Sequence, residues 1–358
     1  MRTQTVLLWI SLSLMVGLSA CDWTSSSPVA SLRRATGWPF EVVVVMDRDA
    51  WNGEVGELLQ EQLRAPIPAL PQAEASMRVT YSEPSGFSGL LRYVRNILIV
   101  SVDPNRYTKA GTRESPDEWA SGQNVVTLYA PTTAALTEFL LLNEGRLVNH
   151  FNRVERERWI VGLSKSHSSW INEKLKSRFG ISLFVPEDMS AYKEETDFFW
   201  GSNNANRGRT DILVYSFPYT AQEAFTEDYL VAMRDSVVRR NVPGSFPNSY
   251  MKTEKRFELS YEPITYRGEY RGVLRGLWRM EGDKMGGPFV SHALLDKKKG
   301  RVIVAEKLEE AEEKRQSLNE RASDRLRFIY ENGELDPPDG GRLVYVAIRG
   351  LGLILSRI

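Results

Sequence analysis

Three arginines recur at every fourth position of one stretch, Arg271, Arg275 and Arg279, interleaved with Tyr270, Leu274 and Trp278. In a strand successive side chains face opposite ways, so the guanidinium groups would line one stripe, roughly 13 Å apart at about 3.3 Å of rise per residue. That spacing suits an extended anionic polymer or a row of lipid headgroups better than one small carboxylate. Arginine fits the task because its planar fork binds phosphate or carboxylate through two bonds, which lysine cannot reproduce. The plainer reading pairs each arginine with a nearby acid on a solvated face. Gly201-Ser-Asn-Asn-Ala-Asn-Arg-Gly-Arg209 is a second polar candidate, in which Asn203, Asn204 and Arg207 could offer amides and a guanidinium group to a polar ligand. A hairpin turn that needs positive φ would use the same residue types.

Residues suited to covalent or metal chemistry are sparse. The three histidines, His150, His167 and His292, are scattered and no His-Glu-x-x-His spacing exists, so no metal is assigned. Ser166-His167-Ser168-Ser169 sets hydroxyls beside an imidazole, but a catalytic triad is built from positions distant in sequence, and a polar helix start explains the run. Gly162-Leu-Ser-Lys-Ser166 lacks the closing glycine of a nucleophile elbow, and neither a phosphate loop nor a dinucleotide fingerprint is present. Glu187, Asp188, Glu194, Glu195 and Asp197 could supply the two carboxylates that flank a glycosidic bond, yet their spacing singles out no pair. No catalytic residue and no cofactor are therefore assigned.

The elements that must position these residues start at Glu41-Val-Val-Val-Val-Met46, a β-branched run bounded by Pro39 and Asp47 that reads as a buried strand. Asp49 is placed to cap a helix carrying Val55, Leu58, Leu59 and Leu63, and the prolines at 66, 68 and 71 force an extended connector. Met77 to Tyr81, Asn96 to Val102 and Val125 to Tyr129 read as further strands, with a helical turn between the first two. The polar stretch from Asn105 to Gln123 reads as an exposed loop. Pro131 and Thr132 open one long amphipathic helix through Leu136, Leu140, Leu147, Phe151 and Val154, and its end, Arg153 to Arg158, reads as a solvated face.

A second helix, 168–179, leads into Ile181 to Val185, and the order strand, proline turn, helix, strand then recurs, as two related halves would show. Thr220-Ala-Gln-Glu223 has the pattern of a capping box for the next helix. From Phe257 to Glu306 the chain is β-rich, with turns at Glu281-Gly-Asp-Lys284 and Asp296 to Gly300 separating three runs of an antiparallel meander. Gly272 and Gly276, alternating there with large residues, predict that a neighbouring helix or backbone packs closely. The fold class is α+β, with mixed, largely antiparallel sheets covered by amphipathic helices.

One residue gives an address. The apolar run from Val6 to Leu18 is too short for a spanning helix, which needs about 20 apolar residues, and matches the core of an export signal. It closes on Leu18-Ser-Ala-Cys21, which resembles the lipobox of bacterial lipoproteins. The resemblance implies cleavage before Cys21 and a lipid on its thiol, and two or more acyl chains anchor stably. Cys21 is the only cysteine of the 358 residues, so no internal disulfide can form. The 46 basic and 46 acidic residues balance, which argues against nucleic-acid binding.

Glu41 to Asp47 with Trp51, the Ala65-Pro-Ile-Pro-Ala-Leu-Pro-Gln72 connector and Asp283-Lys-Met-Gly-Gly-Pro-Phe-Val-Ser-His292 resemble an uncharacterised lipoprotein family of Bacteroidota, a domain of unknown function. The resemblance implies an envelope lipoprotein and carries over no substrate. The expected organisation is a signal peptide over 1–20, a tether over 21–38, α+β subdomains over 39–165 and 166–305, and an atypical charged helix with an apolar tail over 306–358. The expected role is a non-enzymatic one, binding or structural, in a protein lipid-anchored to the outer membrane with its body periplasmic or surface-exposed. Its partners would be the membrane through Cys21 and an anionic envelope polymer, lipid or second envelope protein. An envelope hydrolase working through a carboxylate pair, and a ligand receptor serving a transporter, are the alternatives.

Overall fold

The run of four valines forms the centre of a five-stranded sheet. In the computed structural model, which describes residues 32–70, 73–205, 209–266, 268–309 and 355–357, β1 (Glu41–Val45) lies between β2 (Arg78–Ser82) and β3 (Asn96–Val102), both parallel to it. β5 (Asn124–Ala130) continues the parallel order beside β3, and β4 (Gly111–Pro116) closes the edge antiparallel to β5. β4 falls within the stretch whose polarity predicts a loop. An edge strand needs only one paired side, so polar residues suffice there.

The helices of this half depart from the expected boundaries. A short helix α1 (Arg48–Trp51) precedes α2 (Glu54–Leu63), whose N-cap is Gly53 rather than Asp49. The long helix is two: α3 (Thr133–Leu142) and α4 (Arg146–Lys165) are separated by Gly145, which takes a left-handed φ of 72°. A helix cannot pass through that conformation. Leu136, Leu140, Leu147 and Phe151 nevertheless share one core with Val42, Val44, Leu98 and Leu128, so the apolar stripe survives the break.

The second sheet is antiparallel throughout, in the order β10-β12-β13-β14-β9-β8-β7, with β11 also on β12. Its strands are β7 (Ala191–Glu195), β8 (Phe198–Ser202), β9 (Thr210–Pro218), β10 (Tyr250–Thr253), β11 (Ser260–Tyr266), β12 (Glu269–Glu281), β13 (Gly286–Asp296) and β14 (Arg301–Glu309). Two short strands, β10 and β11, share one edge of the long β12. Helix α5 (Ser169–Phe179) covers one face, burying Ile171, Leu175 and Phe179 on Val214, Leu294 and Ile303. Helix α6 (Glu227–Asn241) covers the other, packing Leu230, Val231 and Val238 on Leu274, Trp278 and Phe289.

Capping and repeat behave differently from the pattern. The capping-box residues run into a short 3-10 turn, Gln222–Phe225, and α6 starts only at Glu227, with Thr226 at its N-cap. β6 (Ile181–Leu183) pairs with a short strand β15 (Leu355–Arg357), outside both large sheets, whereas β2 sits inside the first. The stretches that run alike in sequence thus occupy unlike places. Glu306 to Glu309 extend β14 instead of starting a charged helix. The rest of that run and most of the apolar tail, like Cys21 and the signal segment, lie outside the described residues.

Candidate anion-binding site

The strand register places Arg271, Arg275 and Arg279 on one face of β12, as alternation requires. It does not leave them on an open stripe. Arg271 is 2 % exposed and lies 3.6 Å from Glu269, Arg275 lies 3.6 Å from Glu262, and Arg279 lies 2.8 Å from Glu281 and 3.4 Å from Glu254. Arg279 belongs to a different neighbourhood, a cleft of about 350 Å³ that it lines with Asp235, Lys252 and Glu254. There the hydrogen bond from Arg256, with the charges of Arg256 and Arg279, holds the Glu254 carboxyl down to about 2.

Arg271 and Arg275 share their face with a histidine that sequence spacing does not connect to them. His292 on β13 stands directly opposite Val273, the residue midway between the two arginines. Residues opposite one another in an antiparallel pair share a face, and diagonal neighbours lie within about 7–8 Å. His292 is therefore diagonal to both. On the other side of Val273 the opposite residue is Glu262 of β11.

Helix α4 supplies the third cation. Arg156 is half-buried and feels the charges of Arg275 and Glu262, and burial lowers its pKa, with Arg275 adding to the effect. Among the described residues Arg156 makes no hydrogen bond and no ion pair. Arg275 is likewise lowered by burial. His292 is 6 % exposed, and burial first, then the charges of Arg275, Arg271 and Arg156, push its pKa down to about 3. It is neutral at pH 7 and carries one N–H donor and one acceptor nitrogen. Neither ring nitrogen has a hydrogen-bond partner among the described residues.

A buried polar group without a partner costs about 1–3 kcal/mol, and like charges crowded out of water cost more. Three guanidinium groups, of Arg156, Arg271 and Arg275, act on His292, with Glu157, Glu262 and Glu269 among the carboxylates beside them. Guanidinium forks and an imidazole N–H are donors of the kind from which an oxyanion accepts. Glu262 is exposed and Arg275 half-buried, whereas Arg271 and His292 are buried.

The other candidates are turn and surface residues. Asn203 Oδ1 accepts from the backbone N–H of Ala205 and Thr210, Asn204 takes φ of 51°, and Asn203 Nδ2 reaches Asp188 at 3.4 Å. These bonds hold the hairpin between β8 and β9; Arg207 lies outside the described residues. The His167 ring donates to the Leu163 carbonyl at the end of α4. Glu194 is held by Lys174 and Arg178, and Asp197 accepts from Ser216. No group of three metal-ligating side chains occurs among the described residues, and none of their helices is long and apolar enough to cross a membrane.

Sequence comparison divides the chain where the two sheets do. Residues 35–164 match the family described as Domain of unknown function (DUF8532), and residues 168–320 match Domain of unknown function (DUF4837). Each of the two matches covers less than half of the chain. The second match carries Arg271, Arg275 and His292, and the first carries Arg156. No curated protein matches the sequence. Among solved structures, the Ran-binding protein Mog1p of Saccharomyces cerevisiae is 10 % identical, with a TM-score of 0.26 over 48 % of this chain and 85 % of its own. A point mutant of Mog1 is similar at 10 % identity and a TM-score of 0.27, over 48 % of this chain and 86 % of its own. Likeness at that level carries no functional argument.

Proposed function

We propose that this protein is a lipid-anchored binding protein of the bacterial envelope, tethered through Cys21, whose folded body captures an anionic envelope component without transforming it. The anchor reading rests on Leu18-Ser-Ala-Cys21 closing a short apolar run. The binding reading rests on one observation: Arg156, Arg271 and Arg275 surround a buried His292 that has no hydrogen-bond partner among the described residues.

Two measurements test the two parts. Mass spectrometry of the membrane-extracted protein is expected to find Cys21 as an acylated N-terminus and to find no acyl group in Cys21→Ser; an intact Met1 terminus rejects the anchor. For binding, the full chain is expected to retain anionic vesicles or an acidic polysaccharide less as salt is added. The double variant Arg156→Gln/Arg275→Gln is expected to lose about tenfold or more in affinity, since bonds to charged groups contribute about 1.5–3 kcal/mol each. Equal retention by the variant, with its circular dichroism unchanged, rejects the site.

A further inference from the structure

A recess on the first sheet stands apart from the arginine cluster and does not depend on it. The face of that sheet turned away from α3 and α4 is covered by Phe87, Leu91 and Trp119 where it carries Val43, Ile97 and Val125. Further along β5 the same face carries Thr127 and then Tyr129, since side chains alternate along a strand. Parallel strands are ordinarily buried on both faces. Here a cleft of about 350 Å³ opens instead, lined by Tyr107, Thr112, Arg113, Thr127 and Tyr129. Small-molecule sites occupy about 300–1,000 Å³. We infer that this cleft holds one sugar residue bearing a carboxylate, a hexuronic acid unit of a saccharide.

The walls are fixed before a ligand arrives. Tyr107 lies over Tyr129 with ring centres 4.8 Å apart and donates to Ser101 Oγ at 3.3 Å, which holds both rings in place. A Cβ at Gly111 would stand 2.7 Å from the Tyr129 hydroxyl, so glycine there makes room for the ring beside the edge strand. Arg113 of β4 and Thr127 of β5 are directly opposite one another and so share a face. A site assembled in advance loses less freedom on binding.

The chemistry of the lining selects the ligand. Thr127 is 9 % exposed and Arg113 stands in solvent, and neither side chain has a hydrogen-bond or ion-pair partner among the described residues. Hydroxyl groups both donate and accept, as those of a sugar do, so Thr127 and Tyr129 match the ring hydroxyls of a polyol. The tyrosine rings add apolar surface for its C–H groups. A guanidinium group only donates, in a planar fork, and among the described residues no carboxylate lines the cleft to engage it. A carboxylate carried by the sugar itself completes the match.

Ligand-observed magnetic resonance titration of the full chain near neutral pH would use sodium glucuronate, glucose and acetate. Glucuronate is expected to saturate the protein by about 10 mM and to bind about tenfold less tightly to Arg113→Gln and to Thr127→Val, with circular dichroism unchanged. Glucose and acetate each offer half of the match and are expected to bind at least about tenfold less tightly than glucuronate. Equal binding of glucose removes the guanidinium from the site and equal binding of acetate removes the sugar, and either overturns the inference. It is overturned as well if glucuronate fails to saturate, or if Arg113→Gln leaves its binding unchanged. Arg113 is exposed on an edge strand, so that variant remains decisive where Thr127→Val disturbs the sheet.

Discussion

At the scale of single residues, His292 links the candidate site to acid stability. Its pKa in the fold, about 3, lies well below the ordinary 6.5, because it is buried and faces Arg271, Arg275 and Arg156. The unfolded chain therefore binds more protons between those values, and stability rises with pH across the window. The contribution of His292 is complete above pH 6.5 and is lost as pH falls towards 3, by about 1.4 kcal/mol per pH unit at the steepest. Denaturant unfolding at pH 7 and 4.5 is expected to differ less in His292→Phe than in the parent; an unchanged difference removes His292 from the acid limb. On the opposite face of the sheet, Arg234 and Glu306 are both fully buried, 2.7 Å apart, and the Arg234 guanidinium lies 3.9 Å over the Phe289 ring. Burial raises the Glu306 carboxyl despite its partner. The two halves of the pair are thus unequal: a stranded carboxyl can take up a proton, whereas a stranded guanidinium cannot shed one. Glu306→Ala is expected to cost about 3–5 kcal/mol, and Arg234→Met clearly less, by equilibrium unfolding.

At the scale of elements, a glycine decides how α1 and α2 meet. A Cβ on Gly56 would stand 1.8 Å from the Trp51 carbonyl oxygen, so Gly56→Ala forces backbone apart. A loss of about 1–3 kcal/mol or more is expected, measured as a lower denaturation midpoint. What the sequence shows of elements follows the strength of their patterns. The β-branched run of β1, the apolar β3 and the meander of β12, β13 and β14 are legible because burial writes itself into composition. β4 is not, since an edge strand can be polar, and the break at Gly145 is hidden because an apolar stripe continues across it. Gly272 and Gly276 are met by side chains rather than by backbone: Tyr261 and, from helix α6, Leu230 over the first, and Leu259 and Phe289 over the second.

At the scale of the whole molecule, α4 bonds to the first sheet and its Arg156 feels charges of the second. Glu155 is fully buried, accepts from Asn96 at 2.7 Å and pairs with Arg158, which also donates to Asn96 Oδ1 and to the Arg95 carbonyl. The next residue, Arg156, faces the charges of the second sheet. Within the stretch 153–158, Arg153 and Glu157 form the exposed i,i+4 pair of a solvated helix face, 3.0 Å apart, whereas Glu155 and Arg158 turn inward as a fastening. Charged residues there signal exposure by type, and only the fold supplies the partners that allow their burial. The same reason explains why the arginines of β12 are legible as a group while Arg156 and His292 are not: they reach the site from elements distant in sequence. Arg158→Lys cannot make the two forked bonds and is expected to cost about 2 kcal/mol. Hydrogen exchange should then speed up at the start of β3 and along α4, and uniform protection there would count against the fastening.

The length of β12 has one more consequence. At thirteen residues it is longer than any of the three strands beside it, and β10 and β11 divide one edge between them, with the chain leaving the sheet from Glu254 to Leu259. At the far side the sheet ends on β7, five residues long and carrying Lys193, Glu194 and Glu195. Neither margin offers a long, uncharged ladder of free amides to a passing strand. A broad antiparallel sheet is thereby guarded against growing by the addition of a strand from another copy.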